Sequence, residues 1–153
     1  MYTRLSGNKL KTIFCLLILG VMLVLAGCPG YSDWAYDDLP GDYLIVRVNS
    51  KHIVFEKGTF EFSDRVIDRQ IIAFCYDARY ICLQRVPVEG VDDTRFDPEK
   101  LDTSNPEFYL IDSVTEHVYG PWTEEAFYKQ VDHWGLTGLC EWIPTNPRPE
   151  GAH

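Results

Sequence analysis

Apolar and polar positions alternate along Tyr43 to Val48, with Leu44, Val46 and Val48 on one side and Tyr43, Ile45 and Arg47 on the other. A period of two is the signature of a β-strand with two distinct faces. Asn49-Ser50-Lys51-His52 supplies turn residues, and Ile53 to Lys57 is the expected return strand, broken by Gly58. Val66 to Tyr76 reads as one long strand, with Asp77-Ala78-Arg79 as its turn and Tyr80 to Val86 as its partner. Pro87 ends that partner because it has no ladder donor. Phe108 to Asp112, a turn over Ser113 to Glu116 and a short return over His117 to Tyr119 make a third hairpin.

The period changes after Gly120-Pro121. Phe127, Val131 and Trp134 follow an i, i+4, i+7 spacing, the apolar stripe of a helix over 124–134. Thr123 is placed as its N-cap, with Glu124 and Glu125 at the positive end of the dipole. Trp122 and Phe127 are spaced for a hydrophobic staple, Glu125 for a pair with Lys129, and Gly135 for a left-handed stop. The expected fold is α+β: an antiparallel sheet of about five or six strands built from hairpins, with this one C-terminal helix packed on it.

The N-terminal stretch has no such period. Arg4, Lys9 and Lys11 precede an almost unbroken apolar run from Ile13 to Leu25. As a helix that run spans roughly 20 Å, too short for a hydrocarbon core of about 30 Å. A basic start, a short apolar centre and small residues at the end mark a secretory signal peptide. The ending Leu25-Ala26-Gly27-Cys28 resembles the lipobox of bacterial lipoproteins. The resemblance implies cleavage between Gly27 and Cys28 and lipidation of Cys28. Two or three acyl chains, palmitate among them, then attach the protein to a membrane far more firmly than one chain would.

The expected organisation is a signal peptide over 1–27, a lipidated cysteine and tether over 28–40, one domain over 41–142 and a flexible tail over 143–153. Tyr31, Trp34 and Tyr36 are unusual in a free tether. They suit either the headgroup layer or folding back onto the domain, and neighbouring Asp33, Asp37 and Asp38 favour folding back. The implied location is the cell envelope: the outer membrane where the cell has one, otherwise the outer face of the cell membrane.

Charge narrows the partners. Residues 28–153 hold all 23 acids and 11 of the 14 Lys and Arg, a net charge of −12. Such a surface excludes nucleic acid, whose binding rests on cationic side chains, and it gives no attraction to anionic headgroups. Membrane contact is expected through the lipid alone, and any protein partner in the envelope or secreted around it is expected to be basic.

Beyond Cys15 and Cys28 the cysteines are Cys75, Cys82 and Cys140, without metal-ligand spacing. A four-residue loop over 77–80 makes Cys75 and Cys82 face each other as a possible disulfide, whereas a two-residue loop at Asp77-Ala78 makes them diagonal neighbours. Asp-Ala fits a two-residue turn poorly, which favours the facing register. Two small buried thiols are the other reading.

No cofactor, metal or catalytic residue is expected. His52, His117, His133 and His153 accompany no nucleophile elbow, zinc helix or phosphate loop. Cys140 with His133 is conceivable as a dyad, but spans a helix end. The acids between Val88 and Pro106 lack the order of a calcium loop and alternate with Arg95 and Lys100.

Gly41-Asp42-Tyr43, the Tyr76-Asp77-Ala78-Arg79-Tyr80-Ile81 hairpin with Gln84, and Phe108 to Asp112 leading to Tyr119-Gly120-Pro121 resemble an uncharacterised family of small bacterial lipoproteins. The resemblance implies strands, a turn and a cap, and brings no activity. Tyr119-Gly120-Pro121-Trp122-Thr123 also resembles the start of a GYF-type binder of proline-rich peptides, although a strand-to-helix corner accounts for it equally well. The expected function is a membrane-anchored, non-catalytic binding module of the envelope. The alternatives are an accessory envelope lipoprotein without a tight partner, or an enzyme with a carboxylate or Cys/His site.

Overall fold

The computed structural model describes residues 34–49, 51–88, 97, 100–136, 138–139 and 141–153. These belong to the unit Ser32–His153; the other unit, Met1–Tyr31, lies outside the described residues. The alternating stretch forms strand β2 (Tyr43–Arg47), which pairs with β1 (Trp34–Tyr36) on one side and β3 (Ile53–Thr59) on the other. β4 (Phe62–Ile67) completes a four-stranded antiparallel sheet in the order β1-β2-β3-β4. A second sheet contains β5 (Ile71–Tyr76), β6 (Tyr80–Arg85), β7 (Glu107–Asp112), β8 (His117–Trp122) and β9 (Ile143–Pro144), in the order β8-β7-β6-β5-β9. One helix, α1 (Glu124–His133), follows β8.

The α+β class and the hairpin construction are present, but the single sheet of five or six strands becomes two sheets with nine strands among the described residues. The expected strand over 66–76 is cut at Asp68-Arg69-Gln70, where the chain leaves the first sheet for the second. Gln70 is buried in a left-handed conformation (φ 75°). Arg85 donates through Nε to the carbonyls of Asp68 (3.1 Å) and Arg69 (3.0 Å), while the Gln70 amide donates to the Ile53 carbonyl and the Gln70 carbonyl accepts from the Val86 amide. Those bonds satisfy the polar backbone of the crossover, which burial would otherwise make costly. The second departure is β4. Gly58 does not stop β3 but continues it at φ 132°, opposite Ser63.

Alternation then sorts the side chains. Phe74, Ile81, Leu83, Tyr109 and Ile111 face the first sheet and pack on Trp34, Tyr36, Tyr43, Ile45 and Phe55. Their neighbours Cys75, Cys82, Phe108 and Leu110 face the other way, onto Phe127 and Val131 of α1. The helix has the expected Thr123 cap, whose hydroxyl accepts from the Ala126 amide at 3.4 Å. It ends where Leu136 and Gly135 donate to the Val131 and Asp132 carbonyls (2.9 and 3.0 Å), with Gly135 at φ 72°.

The domain extends beyond the expected 41–142 at both ends. Trp34 to Tyr36, assigned to the tether, is buried as β1, so this part of the chain folds back onto the domain. The tail expected to be flexible supplies β9, and Thr145 donates its hydroxyl to the Ile71 carbonyl at 2.8 Å. Ala35 and His153 exchange two backbone bonds of 2.9 Å. Both segments are short, so periodicity cannot reveal them; aromatic burial and an open sheet edge hold them in place.

Candidate interaction surface

The residues predicted as sites fall in different places. Gly27 and Cys28 lie outside the described residues, as does Cys140. Cys75 and Cys82 are opposite one another in the β5–β6 register, both buried beneath the helix layer. This is the facing arrangement, closed by an Asp77 amide bond to the Tyr80 carbonyl (3.0 Å). His117 is exposed against the Tyr119 ring (4.2 Å), His133 is exposed in the last helical turn, and His52 is half-buried beside Asn49 and Arg69. Among the described residues no three His, Cys, Asp or Glu side chains converge as a metal site requires, and no helix is long and apolar enough to cross a membrane.

The high aromatic content is spent largely on packing. Phe108 stacks on Phe127 at 5.1 Å, Trp142 meets both, and Tyr119, Trp122 and Trp134 continue the layer outward. Tyr36 and Tyr76 join the sheets through a hydroxyl–hydroxyl bond of 2.6 Å; burial, then this bond, pushes the Tyr36 phenol above its ordinary range.

The buried charges also serve the architecture. Asp112 accepts two bonds from Arg79 (3.0 and 2.5 Å) and further bonds from the Val114 and Thr115 amides (3.0 and 3.3 Å). The Arg79 guanidinium, helped by those amides, holds the Asp112 carboxyl well below the usual carboxylate range. It thereby fixes the β7–β8 turn. Arg85 pairs with Glu107 at 2.6 Å, and Glu107 accepts from the buried Tyr109 hydroxyl at 2.9 Å.

Among the described residues Tyr128 of the helix and its C-cap Trp134 are partly uncovered, and the three most exposed large apolar side chains lie in or beside turns at one end. The turn 40–42 and the β3–β4, β5–β6 and β7–β8 turns share this end: Lys57 bonds Glu116 at 2.6 Å, the Gly58 amide bonds the Asp42 carbonyl at 2.8 Å, and the Ser113 amide bonds the Arg79 carbonyl at 2.9 Å. Here Phe62 is 82% exposed, Val114 72% and Phe60 56%. Asp42, Glu61, Asp64, Asp77 and Glu116, in or next to these turns, are all exposed. Lys57 and Arg79 are held in pairs with Glu116 and Asp112, and Arg65, beside Asp64, pairs with Glu56 and Asp68. β1 begins at the opposite end, where Trp34 is the register partner of Arg47. No simple period reveals the apolar tip, since Thr59-Phe60-Glu61-Phe62 reads equally well as a strand ending in the core.

Residues 40–139 match a family described as protein of unknown function (DUF3997). The chain belongs to this family. The DUF3997 match runs from the turn before β2 to just beyond α1, so it includes the apolar tip, the Arg79–Asp112 pair and the facing cysteines and leaves out β1 and β9. Comparison with curated proteins and with solved structures returned no match.

Proposed function

We propose that this DUF3997 protein is a lipoprotein of the cell envelope, anchored through Cys28, whose domain binds another protein and performs no catalysis. The observation that carries the binding role is the end of the domain whose turns expose both Phe60, Phe62 and Val114 and several acids. Large apolar side chains left exposed among polar groups are characteristic of docking sites. Support for the anchor is the basic start, the short apolar run and Leu25-Ala26-Gly27-Cys28.

The anchor is tested by mass spectrometry of the mature N-terminus from fractionated membranes, beside a Cys28→Ser variant. The expected product begins at Cys28 and carries lipid mass; a soluble, unmodified product overturns the anchor. Binding is tested by recovery from detergent-solubilised envelopes with and without salt. A partner whose retention falls with salt is expected, and no partner above background at any salt concentration defeats the binding role.

A further inference from the structure

We propose that the β3–β4 hairpin tip is a docking knob: Phe60 and Phe62 enter an apolar pocket on a protein partner whose rim carries Lys and Arg. The proposal deepens, and rests on, the reading of this chain as an envelope binding module.

Shape supports it first. The two-residue tip Phe60-Glu61 is held from below by several independent contacts. The Thr59 hydroxyl accepts from the Phe62 amide at 3.3 Å, the Gly58 amide reaches the Asp42 carbonyl, and Lys57 reaches Glu116 on the neighbouring turn. Gly58 itself is packed so tightly that a side chain there would strike the Phe62 backbone. The backbone that presents the two rings is therefore already ordered, and little conformational freedom is lost when they are seated.

Charge selects the occupant. An anionic bilayer repels exposed Asp42, Glu61, Asp64, Asp77 and Glu116. A second copy would bring the same acids against themselves. A pocket with a cationic rim satisfies both the rings and the carboxylates, and complementary charge speeds the encounter.

Position agrees. The described chain enters at Trp34, at the other end of the first sheet from the tip. β3 runs toward the tip for seven residues, about 20 Å at roughly 3.3 Å per residue. The tip is therefore separated by the length of this sheet from the point at which the described chain begins.

The test places a photoreactive benzoylphenylalanine at position 62, or at the exposed helix position 129 as a comparison, in the full chain in its native membranes. The expected result is one protein cross-linked from 62 and not from 129. Its binding to the purified chain should fall on the order of 30-fold with Phe62→Ser, as for a central anchor residue, and about tenfold with Glu61→Lys. Both positions are exposed, and unchanged denaturation midpoints confirm that the variants fold. Cross-linking from 129 alone overturns the knob while leaving the binding module standing. Cross-linking from 62 to lipid or to a second copy overturns the choice of partner. Silence from both positions overturns the knob and counts against the module together.

Discussion

Gly58 lies against the backbone of Phe62 so closely that a Cβ at residue 58 would stand 2.3 Å from the Phe62 carbonyl oxygen. The φ of 132° at Gly58 is also one that L side chains rarely adopt. Gly58→Ala is therefore expected to destabilise the domain by about 2 kcal/mol, the scale of a residue forced into a sparsely allowed conformation. Chemical denaturation checks the loss. An unchanged midpoint would show that the hairpin relaxes freely and that its tip is not preordered.

The Arg79–Asp112 pair makes a pH-dependent prediction. The folded Asp112 carboxyl titrates below its unfolded value, mainly because Arg79 bonds its charged form. The stabilisation is thus fully present above the unfolded value of about 3.9 and is lost as pH falls toward the folded one. Arg79→Ala is expected to lower the denaturation midpoint at pH 7, with the gap to the parent chain closing on acidification below about pH 4. Arg79→Lys should recover only part of it, because lysine cannot make the two-pronged pair. A gap that stays constant across this range would remove Asp112 as the responsible group.

Truncation after Pro144 removes the Thr145 bonds to Ile71 and Ile72 and the paired bonds between Ala35 and His153. At about 1 kcal/mol for each of these four net hydrogen bonds, the expected cost is on the order of 4 kcal/mol. Limited proteolysis should then open first at β1, which loses its outer neighbour. A truncated chain as stable as the whole would restore the flexible tail that composition suggests.

Cys75 and Cys82 occupy directly opposed positions. Such pairs have Cα separations of about 4.5–5.5 Å, within the range that a disulfide bridges. In protein purified under oxidising conditions, a non-reducing peptide map is expected to join the Cys75 and Cys82 peptides, and reduction to separate them with the gain of two hydrogens. Alkylation of both thiols without prior reduction would leave them as packing residues beneath the helix.

Local chemistry was legible wherever several signals coincided. Thr123, Phe127, Val131 and Gly135 announce the helix through cap, stripe and stop, and each takes its expected role. The facing register of the cysteines followed from the poor fit of Asp77-Ala78 to a tight turn. The division into two sheets was hidden because Val66-Ile67 and Ile71-Ile72 look like one β-branched run. Only the polar interruption Asp68-Arg69-Gln70 signals the break, and its meaning depends on Arg85, distant in sequence. The apolar tip was hidden for a different reason. Phenylalanine at 60 and 62 is read as core unless the turn between them is known, and Gly58 conceals that turn by acting as a strand residue.

The placement of the knob and of the chain's entry at opposite ends of one sheet has a mechanical consequence. If the tether holds one end while a partner pulls the other, the load runs along β1, β2 and β3 rather than across them. Ladder bonds lie perpendicular to the strands, so this force shears many of them together and does not peel them one by one. Tension applied between Trp34 and the β3–β4 tip would therefore load this sheet in shear.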